Sequence, residues 1–409
     1  MVNSVLTKLL LNLTAIRLEA AMDTIAEINL LRERADRLVT KTRESLFSSG
    51  DERTLDVVYK MTDVTEMVGR SQSSIVRAER EGHIPPALKR ETGRRAGYSL
   101  EQVNEIRDYF RTRPSRSPTD EPVIVSFQNF KGGVGKSTLA VHASHYFAMK
   151  GYKVLIVDAD PQASTTLTFG YNPDQDVAPE ATLYGLMVSP EDYNIQEIVR
   201  ATHWPDLDLI PANLDLFNVE YELAAQLSKD FEAMLRLKTA LADVARAYDV
   251  VIIDPPPALG MISLSVLQAA NAMIVPAPPS IVDFCSTSSF LKMTSSVLQT
   301  MEQANQKVDY KFIRFLVTKA DLAKAAQAEL REIMGKVFSD NILETALLSS
   351  VAYDEAALDM RSLYEATGPK TKSYNRARRN LDQVFAQVEL EIRKTWPSHS
   401  AQLRELGRA

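Results

Sequence analysis

The chain is 409 residues long, 45% hydrophobic and 24% charged, with a formal net charge of -6; this leaves room for two or three cores and excludes a uniformly basic nucleic-acid coat, though not a local basic module. Its single cysteine, Cys285, excludes a disulfide framework or a cysteine-built zinc site and suits a reducing compartment. No run approaches the roughly 20 apolar residues of a membrane span, and Leu9-Leu10-Leu11 is interrupted by Asn12 and Arg17 without a convincing cleavage site, so a cytoplasmic protein without a signal peptide is expected.

Leu9, Leu13, Ile16, Ala20 and then Ile25, Ile28, Leu31, Ala35 and Leu38 recur at helical spacing with one slip, the second run preceded by a capping Asp23. Residues 1–50 are therefore expected to form a helical segment. Its stripe has no obvious local partner, which favours dimerisation over packing on the next domain. Ser48-Ser49-Gly50-Asp51 reads as a loop.

Residues 51–112 form a second unit. Met61 to Val68 predicts a short helix, Gly69 a turn, and Ser71 to Glu81 a second helix stopped by Gly82, the helix-turn-helix order. That arrangement sets the second helix end-on into the major groove, bringing Ser71, Gln72, Ser73 and Arg77 to bases and phosphates. Lys89, Arg90, Arg94 and Arg95 then read as a basic wing, supported by a helix from Tyr98 to Arg107. Arg111 to Asp120, rich in Pro, Ser and Arg, marks a linker at about residues 113–121.

From residue 122 to 409, apolar strands alternate with helices: Val123 to Phe127, Lys153 to Val157, Leu207 to Ile210, Val250 to Ile253, Ala272 to Val275 and Phe312 to Val317. Continuous apolar strands between helices specify a mostly parallel sheet covered on both faces, with ligands at the strands' carboxyl ends. The first strand runs into Lys131, Gly132, Gly133, Val134, Gly135, Lys136, Ser137 and Thr138, where a helix begins. Glycines and free helix-start amides build a phosphate site, Lys136 adds charge for the β- and γ-phosphates, and Ser137 is placed to ligate Mg²⁺. Phe130 stands where G-x-x-x-x-G-K-[ST] has its first glycine. Lys131, five positions before Lys136, cannot easily curl back onto the same phosphates, which suggests a clamp reaching a second subunit.

The second strand ends in Asp158-Ala159-Asp160-Pro161-Gln162, and Asp249 to Pro257 is an apolar strand ending in Asp254, the form of a Walker B element. Carboxylates beside a triphosphate need a cation or a water to position. Asp249 reads as a solvated strand end. Thr318-Lys319-Ala320-Asp321 looks like the guanine-reading N-K-x-D, leaving GTP open on chemistry alone, while His142 and His145 lack a third metal ligand and read as packed helix residues. Lys370, Lys372, Arg376, Arg378 and Arg379 form a basic cluster, read equally as a solvated face or as non-specific DNA contacts that would be salt-sensitive. Leu381 to Ile392 reads as a packing helix, and Trp396 as the weaker hint of a membrane-touching end.

K-G-G-V-G-K-S at residues 131–137 resembles the deviant phosphate loop of the ParA/MinD group of ATPases; with the D-x-D-P-Q segment and Asp254-Pro255-Pro256-Pro257, the resemblance covers about residues 120 to 365. The front unit resembles the MerR-like winged domains of larger ParA proteins and of plasmid RepA proteins. Iron–sulfur reductases sharing the loop need more cysteines than Cys285. The fold implied is α/β: a P-loop NTPase preceded by an all-α winged helix-turn-helix domain and an N-terminal helix. The resemblance further implies a homodimer sandwiching ATP and Mg²⁺, with Lys131 in trans, catalysis by Lys131, Lys136 and Asp160, and metal held by Ser137, Asp158 and Asp254. It also implies non-specific DNA binding with ATP and not ADP, a ParB-type centromere-binding partner that triggers hydrolysis, operator repression, and nucleoid association without stable membrane attachment. Leu348 to Ala356 resembles a family segment often carrying a cation that this chain lacks. The alternatives are a nucleotide-sensing repressor and a MinD-like membrane-positioning ATPase.

Overall fold

A computed structural model describes residues 24–46, 53–227, 231–366 and 370–408. The apolar positions from Leu9 to Ala20 and the loop at Ser48–Asp51 lie outside them. The first of two units contributes helix α1 (Thr24–Leu46), with an Arg37–Glu33 pair one turn apart (3.5 Å). Ile25, Ile28 and Leu31 are exposed along it.

The second unit, from Leu55 onward, begins with α2 (Met61–Val68) and α3 (Gln72–Arg80). Gly69, at φ 65°, adopts the left-handed conformation that ends α2, and Ser71 caps α3 by accepting from Ser74 N (3.2 Å). An antiparallel hairpin follows, β1 (Leu88–Lys89) with β2 (Arg95–Gly97), so this part combines helices with a small sheet, which corrects the all-α domain expected from sequence; strands of two and three residues are too short to show a period. A Cβ on Gly97 would overlap the Tyr59 carbonyl, and Tyr59 bridges Tyr98 beside it. α4 (Leu100–Phe110) starts from a Ser99–Gln102 capping box and closes a core of Val64, Val68, Ile75, Tyr98, Val103 and Ile106.

Within this unit, α4 ties the helix-and-hairpin part to the residues that follow through Arg107, which is 1% exposed. Its guanidinium donates to the Met67 carbonyl at the end of α2 (3.3 Å), to Asn104 Oδ1 (2.8 Å) and to the Met149 carbonyl (3.0 Å). Buried charge is tolerated only when multiply bonded, and two helix C-termini supply complementary partial charge. Burial draws this guanidinium down to about 10. The expected linker lies against the following domain. Arg113 Nε donates to the Gly151 carbonyl (2.7 Å), and Arg116 donates from its backbone to Asp249 Oδ1 (3.0 Å) and from Nε to the Tyr248 carbonyl (2.9 Å). Asp249 also accepts from Lys153 N (2.8 Å) and is buried, which corrects the solvated strand end expected from sequence.

The remainder is a seven-stranded sheet ordered β5-β6-β4-β7-β3-β8-β9. The strands are β3 (Val123–Phe127), β4 (Val154–Asp158), β5 (Arg200–Ala201), β6 (Leu207–Ile210), β7 (Val250–Asp254), β8 (Ala272–Ala277) and β9 (Phe312–Val317), and only the β5–β6 pair is antiparallel. Alternation along each strand feeds two cores. Val123, Val125, Ile156 and Ile252 face one layer, and Ile124, Leu155, Val157 and Val251 the other, which is why the strands are apolar throughout.

α5 (Lys136–Lys150) crosses from β3 to β4, passing over β7, so the chain switches direction beside the end of β3. α6 (Ser164–Thr168) follows β4, α7 (Leu216–Leu227) follows β6, α8 (Met261–Ala269) follows β7 and α9 (Ile281–Gln303) follows β8. After β9 come α10 (Val351–Leu358) and α11 (Lys372–Lys394). α11 buries Leu381, Val384, Phe385, Val388 and Ile392, as its spacing predicts. Trp396 is fully buried with Nε1 donating to the Glu121 carbonyl (3.1 Å), so it is a core residue, not a membrane contact. Among the described residues no helix is long and apolar enough to cross a membrane.

Both α5 histidines are interior, as their packed reading predicts. His145 stacks on Trp204 (4.3 Å between centroids). His142 contacts the Thr138 carbonyl through Nδ1 (2.7 Å) and accepts from Leu363 N at Nε2 (3.1 Å), an arrangement that requires the neutral ring. Burial lowers its pKa from 6.5 to about 4. The unfolded chain therefore binds more protons between those pH values, and stability present above 6.5 is lost as pH falls toward 4, by up to about 3 kcal/mol. Urea midpoints across that window should fall in the wild type and fall less steeply in His142→Gln; equal slopes would contradict the assignment.

Candidate functional site

The segment between β3 and α5 is held from several sides. Gly133 (φ 74°) and Gly135 (φ 100°) are left-handed, a conformation costly for residues with a Cβ. Val134 is buried, and its carbonyl accepts from Thr318 Oγ1 (3.0 Å). Asn129 accepts from Lys131 N (3.0 Å) and donates to the Pro276 carbonyl (2.8 Å). Phe130 meets Phe290 edge-on (4.8 Å), which accounts for an aromatic residue where the general pattern has glycine.

No side chain caps the N-terminus of α5, so its first amides remain for an anion. They open on a cavity of about 980 Å³ that Gly132 to Thr138 line on one side, opposite residues 347–351. Lys136 is 6% exposed, and its Nζ donates to the Lys131 carbonyl (3.2 Å). Burial pulls its pKa down, against the opposing pull of Asp254 and Asp160.

Two carboxylates, Asp254 and Asp160, act on Lys136, and a third, Asp158, lies beside them. Asp158 and Asp254 are register partners on adjacent strands, and both are fully buried. Asp158 Oδ2 accepts from Thr166 N (2.8 Å) and Oγ1 (2.7 Å), and its Oδ1 accepts from Asp160 N (3.2 Å). Its pKa is raised well above the carboxylate range by burial and then by Asp254. Asp254 Oδ2 accepts from Thr165 Oγ1 (2.8 Å), while its Oδ1 is buried without a hydrogen-bond partner. Burial lifts this carboxyl to about 6, against the lowering effect of the Thr165 and Ser137 hydroxyls. An orphaned buried oxygen beside a hydroxyl at a phosphate loop fits Mg²⁺, which takes few protein oxygens. Asp160 lines the cavity, accepts from Gln162 N (3.0 Å) and is raised by burial.

Lys131 does not line this cavity; its ammonium pairs with Asp283 in the first turn of α9. Burial raises Asp283, but hydrogen bonds from Lys131 and Ser280 hold it below its ordinary range. Thr318 and Lys319 reach the cavity, whereas Asp321 accepts from Ala323 N (3.0 Å) outside it, so the guanine-reading carboxylate is not in place. Sequence reasoning missed Thr165 and Thr166, although a pair of threonines in the short helix that follows an acidic strand end is a readable signal. It also missed Asp283, although Ser280-Ile-Val-Asp283 has capping-box form.

The basic residues separate by environment. Gln72, Ser73, Arg77, Lys89, Arg90 and Arg94 are exposed on α3 and the hairpin, with Arg77 paired to Glu81 (3.0 Å). Ser71 is also exposed, while its side chain caps α3. Arg95 bonds Glu79 and Tyr98, tying the hairpin to α3. Lys370, Lys372 and Arg379 are exposed, and Arg376 is exposed at the rim of the large cavity. Arg378 lies over the Tyr364 ring (3.9 Å), bonded to Asp382 (3.2 Å) and Met149 Sδ (3.0 Å), and so braces the interior.

Residues 123–310 match the family model of an AAA domain. A Rhizobium rhizogenes protein designated replication protein A is 36% identical over 74% of this chain and 79% of its own length. SopA of Escherichia coli K12 is 31% identical over 82% of this chain and 87% of its own length. A solved partition protein superposes with a TM-score of 0.65 at 20% identity, covering 90% of this chain and 99% of its own, a likeness of fold.

Lys136→Gln removes the buried ammonium at the cavity and should weaken binding of a fluorescent adenosine triphosphate analogue by more than about tenfold, since charge-assisted contacts to phosphate are roughly twice as strong as neutral ones. Unchanged affinity by titration would show that the phosphates lie elsewhere.

Proposed function

Because the chain belongs to the ParA family of partition ATPases, we propose that it segregates plasmid copies by an ATP-driven cycle of dimerisation and DNA binding. The observation that carries this reading is the uncapped start of α5, where Lys136 stands, beside the orphaned Asp254 oxygen. In the cycle, the loop amides and Lys136 bind the phosphates of ATP, and Asp160 orients the attacking water. Ser137 and Asp254 hold Mg²⁺, which neutralises phosphate charge when bound. Asp158, with both oxygens engaged by the chain itself, fixes the segment that carries Asp160.

Lys131 acts in trans. Its ammonium lies outside its own cavity, and apolar Ile281 and Val282 are exposed beside it. Two subunits then sandwich two ATP molecules, each lysine leaving Asp283 for the other's phosphates. The ATP dimer binds DNA without sequence preference through Lys370, Lys372, Arg376 and Arg379, and a ParB-type partner triggers hydrolysis and release. The winged unit represses the operon through α3 and its hairpin. The Arg107 clasp favours a second, alternative reading as a nucleotide-sensing repressor, because it joins that unit to the helix that starts at Lys136.

Binding to random-sequence DNA across a salt series should be tight and steeply salt-dependent with ATP and weak with ADP or no nucleotide. Binding that ignores nucleotide, or that needs one sequence and prefers ADP, would leave the repressor reading instead. Lys131→Gln should retain ATP binding and lose hydrolysis in a phosphate-release assay; normal turnover would remove the trans role.

A further inference from the structure

The segment that follows β6 touches the chain beyond both acidic strand ends, through Ala212 and through Glu220 of α7. Just before α7, Ala212 N donates to Thr166 Oγ1 (2.9 Å), the hydroxyl that bonds Asp158. From the helix itself, the Glu220 carboxylate accepts from Met261 N (2.5 Å) and Ile262 N (3.2 Å), the amides that open α8. Amides at a helix start carry partial positive charge and favour an anion. Gly260 makes the contact possible: its φ of -125° suits any residue, but a Cβ there would overlap both carboxylate oxygens.

The segment from Pro255 to Gly260 is thus fixed at one end by β7 and Asp254 and at the other by Glu220. Between them Pro257 lines the nucleotide cavity and lies 3.9 Å from where a Gly132 Cβ would sit. We propose that Glu220 is a positioning residue for ATP hydrolysis, setting through α8 where this segment meets the phosphate loop. The inference rests on the ATP-hydrolysing reading of the site. Glu220 lies outside the cavity, so its loss acts on turnover and not on nucleotide capture. A carboxylate serves both amides, whereas a glutamine side chain sets an NH₂ group against one of them.

The test uses the full chain with phosphate release, titration of a fluorescent ATP analogue, and thermal melting. Glu220→Gln and, from the opposite side of the contact, Gly260→Ala should each lower kcat by about ten- to a hundredfold with affinity for the analogue within about twofold, as for misplacement of groups around a reacting centre. Glu220→Ala with Gly260→Ala should cost no more than Glu220→Ala alone, because the added methyl then has room. Unchanged kcat in both single variants overturns the proposal, as does a parallel fall in kcat, affinity and melting temperature. If Glu220→Gln fails to fold, Gly260→Ala decides between these outcomes. A wild-type chain that binds the analogue without releasing phosphate would overturn the hydrolytic reading itself.

Discussion

Buried like charge is the constraint around which this molecule is arranged. Three carboxylates, Asp158, Asp160 and Asp254, emerge from adjacent strand ends where little water reaches them, and carboxylates in such a place repel one another and resist ionisation. The chain settles each differently. Asp158 is surrounded by the donors of Thr166 and Asp160, Asp160 is left at the cavity wall, and Asp254 keeps one oxygen with no partner. The unfilled demand at Asp254 and the unfilled amides at the start of α5 are of opposite sign and lie together, a pattern met by a metal-bound polyphosphate.

Much of this was legible without coordinates. The strand, glycine loop and helix at 123–150, and the acidic ends of β4 and β7, are local in sequence, and periodicity and motif spacing report local order well. What was not legible is contact across the sheet. Thr318, 184 residues from Val134, holds that residue's carbonyl in the glycine loop, and Asp249 reads in sequence as a solvated strand end because its partners, Arg116 and Lys153, lie 133 and 96 residues away. β5, with two residues and an antiparallel partner, is too short for any periodicity to register.

The basic residues make the same point about charge. In sequence, Arg94 and Arg95 belong to one wing, and Arg376, Arg378 and Arg379 to one run. In the fold, Arg95 and the half-buried Arg378 are braces between elements, bonded to Glu79 and lying on Tyr364, while Arg94, Arg376 and Arg379 are exposed without such a role. A guanidinium that joins two elements and one that meets phosphate look alike in a sequence, because both roles use the same planar fork of donors.

Arg107 extends this from bracing to transmission. One end of α5 carries Lys136 and the uncapped amides, and the other is gripped, through the Met149 carbonyl, by the arginine that also holds the end of α2. Fifteen residues make a rod about 22 Å long, so a tilt of about 5° about its Lys136 end carries its far end about 2 Å. Hydrogen bonds do not stretch that far. The helix-and-hairpin unit is therefore geared to the glycine loop: it must travel with the rod or release Arg107, and a buried arginine left without its acceptors is strongly disfavoured.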